Sequence, residues 1–222
     1  MAVEPVHPAP PAVSAARRPQ RARGHERFAQ LLNATEALLA ERPDDDVTLA
    51  MIAESACVPL PSVYHFFPNR NAIYVELAKR FHEDLAALSR MPVDPAPARW
   101  QDLVLVRQTR AHDYLNDHPA ALRLFMGAGV SVEVRTLDLR GNSSIAALRT
   151  EEFRRCFDCR ALGGLEDWLA NSIGVMDGIW AISYAQHGRI TDHYLQEGWR
   201  ACVAYLRTYL PDTLRPTGKA WP

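Results

Sequence analysis

Between Thr48 and Ile73 the chain sets Thr48, Ser62, Tyr64, His65 and Arg70 at close intervals. Hydroxyls, backbone N–H groups and arginine are the donors that grip nucleic-acid phosphates, positioning a protein without reading sequence. A histidine can donate to a guanine acceptor, and small apolar groups such as those of Leu60 and Pro61 can pack on thymine methyls. Other chemistries are weaker. Cys156-Phe157-Asp158-Cys159 is a single CxxC. One such pair lacks the second half of a structural zinc site, and the arginines beside it are the only groups that would lower a thiol pKa. The expectation is two cysteines on a helix, with no metal. The chain shows no glycine-rich phosphate loop, nucleophile elbow or paired-carboxylate motif, so no catalytic residue, no enzyme activity and no cofactor is expected.

The elements around these residues fit that chemistry. Thr48 can cap a helix whose buried face carries Leu49, Ile52, Ala53 and Ala56 at three- and four-residue spacing. Cys57-Val58-Pro59 then ends it, because proline cannot continue a helix and restricts the residue before it. A second, short helix is expected over Leu60–Phe66, with Pro61 in its first turn, where a missing N–H is tolerated. Two short helices joined by a tight turn let the second enter a DNA major groove while the first braces it across the backbone. Upstream, Arg23–Glu41 places Phe28, Leu31, Leu32, Thr35, Leu38 and Leu39 on one stripe, closed by Pro43 and the acid run Asp44–Asp46. Downstream, the helix opening near Arg70 carries Ile73, Leu77, Phe81, Leu85 and Leu88, and continues from the reading unit into the rest of the chain.

Over about Arg23–Leu77 the chain resembles the TetR family of bacterial regulators. The family pattern runs roughly Ala-Gly-Val-Ser-x-Gly-Thr-Leu-Tyr-x-His-Phe, then a lysine opening the next helix. Here the matching run is Ala56 to Phe67, with Val58, Tyr64 and Phe67 identical and Arg70 at the lysine position. Cys57 replaces a turn glycine, Pro61 a helix glycine and Phe66 the usual histidine. The first departure leaves two readings: a turn that needs no positive φ, or a Cys57 that accepts strain. The resemblance implies a homodimer on a near-palindromic operator. It places Thr48, Ser62, Tyr64 and Arg70 on phosphates, and leaves base reading to Leu60, Pro61 and His65.

Composition and charge agree with a partner contacted locally. The net charge is −1 over 222 residues, which excludes a basic coat, yet Arg17, Arg18, Arg21, Arg23 and Arg27 stand against the single acid Glu26. Arg17, Arg18, Arg21 and Arg23 suit an arm in an adjacent narrow minor groove. Residues 1–20, rich in Ala and Pro, read as a disordered leader with this arm. Four cysteines without a secretory signal imply a reducing, cytoplasmic setting, and no apolar run of about 18 residues spans a membrane.

The expected fold is all-α: a three-helix DNA-binding domain over 21–70, a helical effector-binding and dimerisation domain over 71–210, and a loose tail over 211–222. Pro92–Pro97 interrupts the helices. Gly127–Ser144 reads as a loop or frayed helix, since Val130, Val132 and Val134 alternate, and Ile145–Phe157, Leu165–His187 and Asp192–Leu210 read as helices. The last two would pair between copies, with Gly174 and Gly178 allowing close approach. An effector site needs a concave, mostly apolar wall. Trp100, Gln108, His112, Tyr114, Phe125, Met126, Phe153, Met176, Trp180 and Tyr184 are the candidates, pointing to an apolar or aromatic small molecule. The alternative is a helical small-molecule-binding or metal- or redox-sensing protein, using Cys156 and Cys159, with little specific DNA binding.

Overall fold

The computed structural model of the chain describes residues 15–42, 47–95 and 97–218. The first fourteen leader residues, the acid run at 44–46 and the last four residues lie outside that set. Among the described residues the chain forms nine helices: α1 (Ala22–Glu41), α2 (Leu49–Ser55), α3 (Leu60–Phe66), α4 (Arg70–Arg90), α5 (Trp100–Asp117), α6 (Pro119–Met126), α7 (Val132–Cys156), α8 (Leu165–His187) and α9 (Asp192–Leu206). No helix of the described residues is long and apolar enough to cross a membrane.

Caps set the helix starts that the sequence signalled. The Thr48 side chain accepts from Met51 N at the start of α2, Asn69 from Ala72 N at α4, and Thr191 from Tyr194 N at α9. Each satisfies a backbone N–H that the helix itself cannot. Helices α1 to α3 pack around Leu31, Leu39, Ile52, Val63 and Phe67, all almost fully buried. Helix α4 then runs from this small head along α7, α5 and α6. Asn71 near its start donates to Glu133 of α7 at 2.6 Å. Because α4 is one continuous helix, the head and the larger bundle share a rigid rod.

Two expectations fail here. Gly127–Ser144 is not a loop: α7 begins at Val132, where the Ser131 side chain accepts from Val134 N. The alternating valines hid the helix because much of its inward stripe is polar, with Asp138, Arg149 and Glu152 buried beside Val134, Ile145 and Phe153. A stripe built partly from charges carries no hydrophobic period. Nor is the tail loose as far as residue 218. Thr217 N donates to Cys156 O and Asp158 N to Arg215 O, both at 2.9 Å, while Trp100 Nε1 donates to Pro211 O at 2.9 Å. Leu210 and Leu214 are buried, so the segment closes one end of the bundle. Helix α9 stops at Leu206, with turns carrying the chain on to Leu210.

Candidate functional site

Helix α3 is held by its inner face and leaves its outer face bare. Val63 and Phe66 point inward, and the Phe28 ring of α1 meets Phe66 edge-on at 5.9 Å and Phe67 at 4.7 Å. Gln30 of α1 donates to Ala56 O at 2.7 Å, tying α1 to the turn that precedes α3. Outward stand Pro61 and His65, both exposed, and Tyr64, whose surface is 52% exposed, which removes it from the core. Leu60 is half-buried and packs against the core, and Ser62 accepts a 3.2 Å hydrogen bond from Arg27 Nη1. Thr48 and Arg70 are exposed, the Arg70 guanidinium lying 5.7 Å from the Tyr74 ring centroid.

The arginines that precede α1 join the same face. Arg17, Arg18, Arg21 and Arg23 share a shallow groove with His65. Residues 15–20 are seated rather than free: Arg17 N donates to Phe66 O at 2.8 Å, and Arg18 pairs with Glu76 of α4 at 3.0 Å. Arg18 is therefore partly neutralised, while Arg21 and Arg23 are exposed beside α3.

The turn between α2 and α3 settles the question of Cys57. Cys57 has φ 51°, in the left-handed region. Its N–H donates to Glu54 O at 3.0 Å and Val58 N donates to Ala53 O at 2.9 Å, the paired bonds of a Schellman helix end. The turn does demand a positive φ, and Cys57 accepts the strain of about 1–2 kcal/mol that an L-residue meets there. Cys57→Gly is expected to raise the melting temperature by about 1–4 °C, the relief being partly offset by glycine's greater freedom when unfolded. A calorimetric scan of both proteins checks it; an unchanged or lower value contradicts the assigned strain.

Deeper in the bundle lies a cavity of about 40 Å³. Leu85 and Leu88 of α4, Ala111 and Leu115 of α5, Phe125 and Met126 of α6, Ile145 of α7, and Ile173, Met176 and Trp180 of α8 form its apolar wall. Of the expected lining residues, Phe125, Met126, Met176 and Trp180 are in place. The others are occupied elsewhere. Trp100 holds the tail, Phe153 packs on Phe157 at 5.9 Å, and His112 is bonded to Asp113 at 2.8 Å and to Ile190 O at 3.0 Å. Gln108 is buried outside the cavity, Tyr114 donates to Asp84 at 2.9 Å, and Tyr184 lines an outer groove with Gly127 and Val130. These side chains belong to the core or to other surfaces because helical periodicity identifies an inward face, not which inward residues border empty space.

What aromatic spacing could not reveal is that the cavity is strongly polar on one wall. His82, Asp138, Asn142, Arg149 and Asp177 line it together with Arg107 and Arg110. His82 Nε2 is 3.2 Å from Asp138 Oδ1, and Asn142 donates to Asp177 at 2.6 Å. A Cβ at Gly141 would meet the His82 ring at 2.3 Å, so the missing side chain lets α7 lie this close to α4. Burial, then the neighbouring Asp138, pushes the Asp177 carboxyl up to about 7. Burial, then the neighbouring Arg107, pushes Arg149 down to about 10. Arg107 itself is buried in a bidentate pair with Glu152, Nε to Oε2 at 2.8 Å and Nη2 to Oε1 at 2.5 Å. Elsewhere, Cys156 and Cys159 are buried and unpaired, and burial raises the Cys159 thiol to about 11, away from thiolate chemistry. Among the described residues no three His, Cys, Asp or Glu side chains gather as metal ligands.

Residues 31–77, which span most of the three-helix head and the start of α4, match the profile of bacterial regulatory proteins of the tetR family. The DNA-binding end of the chain thus carries the TetR-family profile over residues 31–77. The HTH-type transcriptional regulator EthR of Mycobacterium tuberculosis is 28% identical over 123 residues, covering 54% of this chain and 57% of that protein. The chain thus matches little more than half the length of this curated relative. Over the whole fold, a TetR-family regulator from Streptomyces coelicolor superposes with a TM-score of 0.58 at 21% identity, covering 83% of this chain and 99% of the other. A TetR regulator from Rhodococcus sp. RHA1 gives 0.61 at 16%, covering 83% and 97%. At such identities the likeness shows the fold alone. Against the TetR pattern, the buried Phe66 exchanges an exposed-type histidine for a ring packed on Phe28, and Pro61 sits at the second position of α3.

Proposed function

We propose that this chain is a ligand-responsive DNA-binding regulator, acting as a repressor that occupies a near-palindromic operator as a homodimer. One observation carries the reading: α4 begins at Arg70 beside α3 and ends in the wall of the cavity with His82, Leu85 and Leu88. From Arg70 to His82 the rise along a helix is roughly 18 Å at about 1.5 Å per residue. A small molecule that parts the cavity walls must move α4, and with it the reading head. Two heads held about 34–36 Å apart then lose their half-site spacing. DNA and effector oppose each other by one common factor, since linkage is reciprocal.

Thr48, Ser62, Tyr64 and Arg70 are the phosphate contacts in this reading, His65, Leu60 and Pro61 the base contacts, and Arg23 part of the arm. The last two helices do not offer all their apolar residues to a second copy. Leu165, Leu169, Ile173, Met176 and Trp180 of α8 are intrachain core, as are Val203 and Leu206 of α9. The face of α8 left for a second copy carries Gly174 and Gly178, with open space where a Cβ would stand, and Ile182, 49% exposed.

Gel-shift titration against the DNA upstream of the chain's own coding region tests the proposal. Specific, salt-sensitive binding is expected, and its absence overturns the regulator reading in favour of a helical small-molecule-binding protein. In that assay Arg70→Ala should weaken all sequences about equally and reduce the log–log salt slope by roughly one unit. His65→Ala should instead relax preference at one position in each half-site. A base-specific loss in the first variant, or unchanged preference in the second, reverses the two roles.

A further inference from the structure

The cavity is lined by one buried cation that the fold leaves incompletely hydrogen-bonded. Arg149 is 9% exposed and points into it from α7, yet its Nε has no hydrogen-bond partner among the described residues. Its two neighbours are spent. Arg107 is forked onto Glu152 and donates to Leu88 O at 3.1 Å, and Arg110 donates to Met91 O and Pro92 O at 2.9 and 2.8 Å. Glu152 thus serves Arg107, and Glu152 and Asp177 act on Arg149 through space without a hydrogen bond to its Nε. The two acids on the same wall are also engaged: Asp177 receives Asn142, and Asp138 receives Arg135 at 2.7 Å and faces His82. A buried guanidinium with an unmade hydrogen bond is costly, whereas a methionine or leucine would fill similar space without that penalty. A guanidinium fork matches a carboxylate through two parallel N–H···O bonds.

We propose that the cavity receives an apolar molecule bearing a carboxylate or equivalent anionic group, and that Arg149 binds that group. The inference rests on the reading of this cavity as the effector site and adds the chemical class of the effector. It adds a charged anchor to the expected apolar or aromatic small molecule, whose body Leu85, Ile145, Ile173 and Trp180 would wrap. About 40 Å³ admits ordered water but no such body. Binding therefore has to displace side chains, and Met126 and Met176, unbranched and adaptable, are the ones suited to yield.

The test compares octanoate with octan-1-ol, two probes of equal chain length, by isothermal titration calorimetry on the full chain. Octanoate should bind at least tenfold more tightly, as roughly 1.5–3 kcal/mol for a hydrogen bond to a charged group implies. Arg149→Met should abolish that preference while keeping the alcohol's affinity, and its melting temperature should equal or exceed that of the parent. Arg149→Lys, which keeps the charge without the fork, should retain an intermediate preference and stands in if the methionine variant does not fold. Equal affinity of the parent for both probes overturns the anionic class alone, as does a preference that survives in both variants. If neither probe binds, the effector-site reading falls with it.

Discussion

Glu152→Ala is expected to destabilise the folded chain by about 3–5 kcal/mol, the range for breaking a buried ion pair from one side. At about 2–4 °C per kcal/mol for a protein of this size, the melting temperature falls by roughly 6–20 °C. The physical reason is specific to this site. Both partners are 2% exposed by side chain, so no water can replace the lost carboxylate. Arg107 would be left beside Arg149, two buried guanidiniums on the polar wall of the cavity without Glu152 to offset them. The double variant Arg107→Met, Glu152→Met removes both charges and should recover most of the loss. Differential scanning calorimetry on the three proteins decides the matter. A loss below about 1 kcal/mol in the single variant would mean that the pair is wet and the cavity end open to solvent.

Asp177→Asn should stabilise the chain, by a margin that grows as pH rises and is largest at neutral to alkaline pH. The folded carboxyl titrates near 7, raised chiefly by burial and then by Asp138, with Asn142, Arg135 and Arg149 opposing the rise. An unfolded aspartate titrates near about 3.9. Between these values the folded chain holds a proton that the unfolded chain has released, so stability is full below about pH 4, declines as pH rises, and levels off above about 7.5. The accumulated loss is of the order of 2–4 kcal/mol, at about 1.4 kcal/mol per unit. Asparagine never ionises and keeps an acceptor for Asn142. The difference in melting temperature between variant and parent should therefore be larger at pH 8 than at pH 5. A difference that does not change with pH would show that Asp177 does not ionise in the fold across this range.

Most of the reading head was legible because its rules are local. A Thr48 cap, a Pro59 break, a Pro61 in a first turn and apolar residues at three- and four-residue spacing need only neighbours in the chain to act. The short helix Leu60–Phe66 was accordingly anticipated to the residue. The same information could not choose between a relaxed and a strained Cys57. That depends on the φ required once α3 packs against α1 through Phe28 and Phe67.

The cavity shows the opposite case. Helical spacing singled out Phe125, Met126, Met176 and Trp180, which border the cavity, as readily as Trp100, His112 and Phe153, which are tied elsewhere. The decisive residues are charged: Asp138 and Arg149 lie eleven positions apart on α7, and His82 and Asp177 come from α4 and α8. In sequence such side chains look like a solvated face, since charge is normally a sign of exposure. The sequence by itself determined where the helices of the small head begin, where the chain turns between them and which face of α3 is free, because those follow from contacts within a few residues. Only the tertiary structure decided that a polar stripe of α7 is buried and that the Arg149 Nε has no hydrogen-bond partner among the described residues. Burial and pairing are properties of helices brought together from distant parts of the chain.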